Sequence, residues 1–407
     1  MNLRSNQIGV LFIVWTAFLL SFVDRLSWPP VIPIASHDLG ISAAQAGGYM
    51  TAFYIGYVCT QLPGGLLTDR FGYRKVLLSS FLIMGVFTAL MGTIHSYGQG
   101  FVLRVLAGFG SGAVFSACVR AIFDWFPGKG RSTAMGLFMT ASSLGVSVVN
   151  LFVPSVAESY SWKTSFFVAG LLPLIGFSFG FWFLKERTPV HQQRQSQTPA
   201  EFWKNVASLL KNRNLMLTWL SGFCAMWATW GTATWANTYI NKALHLSLAE
   251  AGAIMSIYGI TAILCKPIIG ICSEFIRSKK ILLFWLLVTF APMLLWFGSN
   301  KNVHLLYVLA GILGISAFVY SPVVNNFIGE LVDRKQIGTA TGLVNTIWQL
   351  GSLLSPLAVG SVLDQTHNYF YAFGTLALGP VLAAIIILFV KERGLEKEHQ
   401  IGTEAQA

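Results

Sequence analysis

The chain has 407 residues, of which 11% are charged and 54% hydrophobic, with a formal net charge of +11. Soluble domains carry about 25% charged residues, so this composition excludes a water-soluble globular surface. A mean hydropathy of +0.62 makes lipid the solvent for much of the molecule.

A bilayer core about 30 Å thick takes about 20 apolar residues per helical crossing. Apolar runs of that length occupy residues 8–28, 43–67, 76–95, 100–123, 132–153, 163–184, 214–240, 249–272, 281–298, 303–328, 337–362 and 370–390. They predict an all-α membrane protein with twelve transmembrane helices, numbered here as spans 1 to 12. Helices are required because lipid offers no partner to an unpaired backbone group. The runs are too long and unbroken for the alternating strands of a β-barrel. The first run lacks an A-x-A cleavage site and continues into Asp24-Arg25, so it reads as a retained helix rather than a signal peptide.

Charge sets the expected orientation. With the N-terminus taken as cytoplasmic, 20 of the 27 Lys and Arg residues fall on that side and three (Lys163, Lys242, Lys301) on the other. Arg25, Arg104, Arg120 and Lys266 lie within spans. This positive-inside pattern predicts a multi-pass protein of the cytoplasmic (inner) membrane with both termini cytoplasmic. It also accounts for the net charge without nucleic acid as a partner. The five cysteines (Cys59, Cys118, Cys224, Cys265, Cys272) fall inside spans without metal-ligand spacing to histidine and read as packing residues. No metal or cofactor is expected.

The chain repeats itself. Lys185-Glu186-Arg187 ends span 6 and Lys391-Glu392-Arg393 ends span 12, at an offset of 206. At the same offset Thr133-Ala134, Gly136-Leu137, Thr140 and Leu144-Gly145 match Thr339-Ala340, Gly342-Leu343, Thr346 and Leu350-Gly351. At 205, Gly65, Asp69 and Lys75 match Gly270, Glu274 and Lys280. Two six-helix halves follow, over 1–190 and 213–394. Between them lies a cytoplasmic linker, 191–212, in which Phe202, Val206, Leu209 and Leu210 can line one face of a short interfacial helix. A charged tail, 395–407, ends the chain. Two parallel halves place a substrate site between them near the midplane.

Gly65-Leu-Leu-Thr-Asp69-Arg70-Phe-Gly72-Tyr-Arg74-Lys75 joins spans 2 and 3. Its glycines allow a tight turn, its bases suit the inner surface, and Asp69 is expected to cap a helix N-terminus. The stretch resembles the signature loop of the major facilitator superfamily, G-x-x-x-D-R-x-G-R-[KR]-[KR]. In that family the loop latches the cytoplasmic side closed, which implies gating roles for Gly65, Asp69, Arg70, Gly72 and Arg74. Arg104-Val-Leu-Ala-Gly108-Phe-Gly110 resembles the superfamily's R-x-x-x-G-x-G motif.

A finer resemblance is to the anion:cation symporter family of organic-anion carriers. It rests on Phe22-Val-Asp24-Arg25 in span 1, Tyr57-Val-Cys-Thr-Gln61-Leu-Pro63-Gly64-Gly65 in span 2, Arg120-Ala-Ile-Phe-Asp-Trp125-Phe-Pro127 at the end of span 4, and the position of Asn345 in span 11. The resemblance implies an alternating-access carrier, monomeric by family default. Many members carry glutamates three and seven residues after the span 4 arginine. Here these are Ala107 and Ser111, which removes the usual route for proton coupling.

An ionisable group at membrane depth costs at least about 2.5 kcal/mol on insertion scales and so marks function. Arg25 suits an anion, because its planar fork meets a carboxylate bidentately and stays charged. Asp24, about 100° around the helix, is the candidate proton-coupling residue. Arg104, Arg120 and Lys266, the last followed by Pro267, are further candidate substrate contacts, with Tyr57, Asn345 and Gln349 as hydrogen-bonding partners. Trp235 and Tyr239 in span 7 fit an outer aromatic belt. Four bases against one acid within the spans favour an anionic solute.

The expected function is therefore secondary active transport of a small organic anion, a carboxylate such as a sugar acid, by proton-coupled symport. The rivals are an exchanger of organic phosphates or dicarboxylates without proton coupling, and an exporter of drugs or metabolites. An enzyme is not expected: no G-x-S-x-G, H-E-x-x-H or phosphate loop is present, nor a soluble domain to carry chemistry.

Overall fold

The computed structural model describes residues 3–126, 130–186, 199–276, 278–332 and 337–391. These residues form fifteen α-helices. In chain order they are α1 (Leu3–Leu26), α2 (Ile32–Leu39), α3 (Ala43–Phe71), α4 (Tyr73–Leu90), α5 (Tyr97–Gly112), α6 (Val114–Trp125), α7 (Gly130–Ser159), α8 (Trp162–Phe183), α9 (Pro199–Leu210), α10 (Arg213–Leu244), α11 (Leu248–Phe275), α12 (Lys279–Ser299), α13 (Val303–Leu331), α14 (Ile337–Thr366) and α15 (Tyr369–Leu388). All twelve expected spans are present as helices, with α5 and α6 together forming span 4.

Three departures from the sequence reading have local causes. Span 4 breaks at Ala113, just after Gly108, Gly110 and Gly112. There the glycines bring α5 against the backbone of α3, with Gly108 facing Phe53 and Gly112 facing Tyr57. Pro29 and Pro30 end α1 and start a 3₁₀ turn leading into α2, a short added helix. Ten segments among the described residues carry a window apolar and long enough to cross a membrane. Helices α3 and α10 fall outside that set, although they run 29 and 32 residues. Both spend their faces on other helices rather than lipid. Helix α3 packs between α5 and α14, and α10 between α14 and α15.

Helices α1 to α8 form one half and α10 to α15 the other. The halves meet mainly along α3 with α14 and α7 with α11. Part of the linker, residues 191–198, and the tail, 395–407, lie outside the described residues. Helix α9 stands where the interfacial helix was expected and buries Val206 and Leu209, packing against α10 and α14, while Leu210 stays exposed. Trp235 and Tyr239 do not form a lipid-facing belt. Both are buried, with Trp235 Nε1 donating to the Pro356 carbonyl at 3.1 Å and Tyr239 Oη to the Asn300 carbonyl at 2.7 Å.

At the end that is poor in Lys and Arg, Asn237 of α10 donates to Asn150 of α7 at 2.8 Å, and three further kinds of contact between the halves each occur twice at the spacing of the repeat. Gly47 of α3 lies against the Pro356 carbonyl of α14, and Gly252 of α11 against the Asn150 carbonyl of α7. The Thr51 hydroxyl donates to the Leu353 carbonyl at 2.6 Å, and the Ser147 hydroxyl to the Ser256 carbonyl at 2.9 Å. The Asp364 carboxylate accepts the Ala43 and Ala44 N–H groups, each at 2.8 Å, while Glu158 accepts the Leu248 N–H. The last pair fills a physical need: the first N–H groups of a helix have no internal acceptor and carry partial positive charge. Ser42 and Ser247 complete those helix starts with capping boxes.

At the base-rich end the ion pairs seen among the described residues lie within the first half. Arg120 of α6 reaches Asp69 at 2.8 Å and Asp124 at 3.0 Å. Asp69 therefore does not cap a helix. It lies in the last turn of α3, where Gly72, at φ +86°, ends the helix in a conformation that suits glycine.

Candidate functional site

A cavity of about 690 Å³ lies between the halves and is lined by α1, α3, α5, α6 and α7 on one side and α10, α11, α13 and α14 on the other. It runs from Arg25 to Asp69, Arg120 and Phe123, so its mouth is at the base-rich end. The repeated contacts described above close the other end.

Arg25, in the last turn of α1, is 1% exposed. Its guanidinium carbon lies 4.3 Å from the Tyr57 ring centre, 4.6 Å from Phe22, 5.5 Å from Tyr54 and 5.7 Å from Trp230. Ring faces attract a desolvated cation, but they do not neutralise it. Arg25 has no ion pair among the described residues, and its Nε has no hydrogen-bond partner. A buried, box-held cation at a cavity wall is a ready receptor for an anion.

Asp24 and Arg104 sit behind that wall, away from the cavity. One oxygen of Asp24 accepts the Thr88 hydroxyl, and Oδ2 has no partner. Arg104 donates to the backbone carbonyls of Asp24 at 3.1 Å, Arg25 at 2.8 Å and Tyr49 at 3.5 Å. It thus holds the end of α1, where helix carbonyls lose their internal partners, and fixes the backbone that presents Arg25.

The other expected contacts do line the cavity. Arg120 stands at the mouth with its charge engaged by two carboxylates. Lys266 of α11 donates to the Ser143 hydroxyl of α7 at 2.8 Å and lies 4.7 Å from the Phe318 ring centre. Tyr57, Asn345 and Gln349 are on the wall, and Gln349 Oε1 has no partner. Gly65 and Asp69 lie at the mouth, whereas Arg70, Gly72 and Arg74 do not line it. Arg74 instead donates to the Phe181 carbonyl at 2.7 Å.

The sequence reading singled out Gln61 only as part of a motif. It lies one helical turn beyond Tyr57 on the same face, lines the cavity, and leaves both side-chain amide atoms unpaired. Its spacing from Tyr57 was the available signal. Trp230 and Phe318 also line the cavity. Their rings lie 6.0 Å apart between Arg25 and Lys266, and their partnership depends on two distant helices.

The Major Facilitator Superfamily profile matches residues 13–249 and 218–406. A probable sulfoacetate transporter of Cupriavidus necator is 25% identical, with 93% of each chain covered. The hexuronate transporter of Bacillus subtilis is 23% identical over 97% of this chain and 99% of its own. Among solved structures, a bacterial homologue of the human lysosomal transporter Spinster superposes with a TM-score of 0.80. It is 15% identical over 94% of this chain and 96% of that one.

Proposed function

The chain belongs to the major facilitator superfamily, and we propose that it carries a small organic anion, a carboxylate of the sugar-acid kind, across the cytoplasmic membrane by alternating access. The observation that carries this reading is Arg25, a buried cation with no carboxylate within ion-pair distance among the described residues, boxed by aromatic rings at the wall of the cavity. The named substrates of the two relatives above, sulfoacetate and hexuronate, are organic anions and support the same class. The base-rich end is assigned to the cytoplasm by the positive-inside pattern, with both termini there. The cavity then opens inward.

In this reading Arg25 binds the acid group, and Tyr57, Gln61, Asn345 and Gln349 hydrogen-bond the rest of the solute. Asp24 carries the coupling proton, because it is buried beside Arg25 in the chain and leaves one carboxyl oxygen without a partner. The carrier works as a monomer. The test is uptake into proteoliposomes. Wild type accumulates a sugar acid under an inward proton gradient, Arg25→Gln loses uptake, and Asp24→Asn loses accumulation while keeping counterflow. Full uptake by Arg25→Gln refutes the binding role. The exchanger reading is favoured by one observation, that Asp24 does not line the cavity. It predicts counterflow alone, unchanged in Asp24→Asn.

A further inference from the structure

The contacts between the halves form two ladders that copy each other. Helix α3 runs against α14, and α11 against α7. Positions on α3 and α11 correspond 205 residues apart, and positions on α7 and α14 correspond 206 apart. The rungs obey both offsets. Gly47 with Pro356 answers Gly252 with Asn150, and Thr51 with Leu353 answers Ser256 with Ser147. One rung further toward the base-rich end, Lys266 of α11 donates to the Ser143 hydroxyl of α7 at 2.8 Å. The same offsets carry Lys266 to Gln61 of α3, and Ser143 to Gln349 of α14.

That counterpart rung is unmade. Both amide atoms of Gln61 are buried without a hydrogen-bond partner, as is Gln349 Oε1, and both residues line the cavity. A buried polar atom left unpaired is costly and calls for a reason. The two residues are complementary, since Gln61 offers N–H groups and Gln349 an open carbonyl oxygen. Local packing separates the made rung from the unmade one. Gly259 brings α11 so close to α7 that a Cβ there would lie 2.8 Å from the Ser143 carbonyl oxygen. Its counterpart on α3 is Tyr54, fully buried, whose bulk denies α14 the same approach. Two glutamines together reach further than a lysine and a serine, which suits them to the wider gap.

We infer that Gln61 and Gln349 form a tie between the halves that is made only when the base-rich end closes. In the conformation seen here that end is open, Lys266 and Ser143 hold α11 to α7, and the two glutamines are unpaired. When α14 swings toward α3, Gln61 Nε2 donates to Gln349 Oε1 and the fourth rung is completed on both ladders. The tie is a conformational device of the empty carrier. It goes beyond the anion reading and holds whatever solute is carried.

The experiment follows closure of the base-rich end in the full-length protein in lipid nanodiscs, with no solute present. Spin labels at Lys75, exposed at the start of α4, and Arg213, exposed at the start of α10, report the distance between the halves. Gln61→Met and Gln349→Met keep the side-chain length and remove the bond. Each is expected to lower the closed population about three-fold. The double variant should fall no further than either single, because all three lose the same bond. Gln61→Lys with Gln349→Ser copies the made rung into the unmade one and should hold the closed population at the wild-type level or above. Losses that multiply in the double variant overturn the tie, as do singles that leave the distances unchanged. So does a closed population in the Lys and Ser copy as low as in the Met double. No solute enters these readings, so their failure leaves the anion reading to its own test with Arg25→Gln.

Discussion

The two ends of the bundle hold their helices by different rules. At the base-poor end three kinds of contact cross between the halves in two copies related by the repeat, and Asn237 of α10 adds a single one by donating to Asn150 of α7 at 2.8 Å. Gly47 with Pro356 is mirrored by Gly252 with Asn150, and Asp364 of α14 at the start of α3 by Glu158 of α7 at the start of α11. At the base-rich end Asp69, Arg120 and Asp124 pair within the first half, and the cavity opens beside them. Opening the sealed end therefore requires breaking close backbone approaches and helix-start contacts. The ions at the open end can persist through that motion. The seal is also symmetric in position but not in strength, since Asp364 takes two N–H groups and Glu158 one.

One readout ranks these contacts: the distance between spin labels at His37 in the first half and Gln365 in the second. The largest opening is expected from Gly47→Ala with Gly252→Ala. An added Cβ meets a backbone carbonyl that cannot move aside, and overpacking costs about 1–3 kcal/mol per site. The population open at this end should rise about 30-fold or more. Next comes Asp364→Asn with Glu158→Gln, which removes the charge at both helix starts and one of the two acceptors at the start of α3, for about 10-fold. Of its two singles, Asp364→Asn should open more. Ser147→Ala with Thr51→Val should give about 8-fold, since hydroxyl contacts between membrane helices average about 0.6 kcal/mol each. Asp69→Asn should change the distance distribution by less than about 2-fold, because its pair with Arg120 lies within the first half and is not broken by the opening, and at 61% exposure it is weak in any case. A larger opening from Asp69→Asn than from Asp364→Asn would collapse the comparison.

The sequence made the twelve helices legible because apolar length is a local property. It made the two halves legible through the 206-residue offset. The same offset relates Glu158 to Asp364, yet the seal was not read, because those acids sit at helix ends where loop charges are common and their partners are backbone N–H groups. Arg25 could be found as a charge out of place in a span. Its freedom from acids could not, since that depends on what Asp24 and Arg104 do, and both turn away into the first half. The break at Ala113 was legible only in part: three alternating glycines signal close approach, but the approaching partner is on α3, 55 residues earlier (Gly108 to Phe53, Gly112 to Tyr57).

Calorimetric titration of the purified protein tests the central claim most directly. The solutes are an organic anion such as D-glucarate and an uncharged relative such as D-glucitol, applied to wild type and Arg25→Gln. The account predicts saturable binding of the anion by wild type and none of the polyol. It also predicts at least about a ten-fold loss of anion affinity in the variant, from one charge-assisted contact. Equal affinity for the polyol, or unchanged anion affinity in Arg25→Gln, would contradict it.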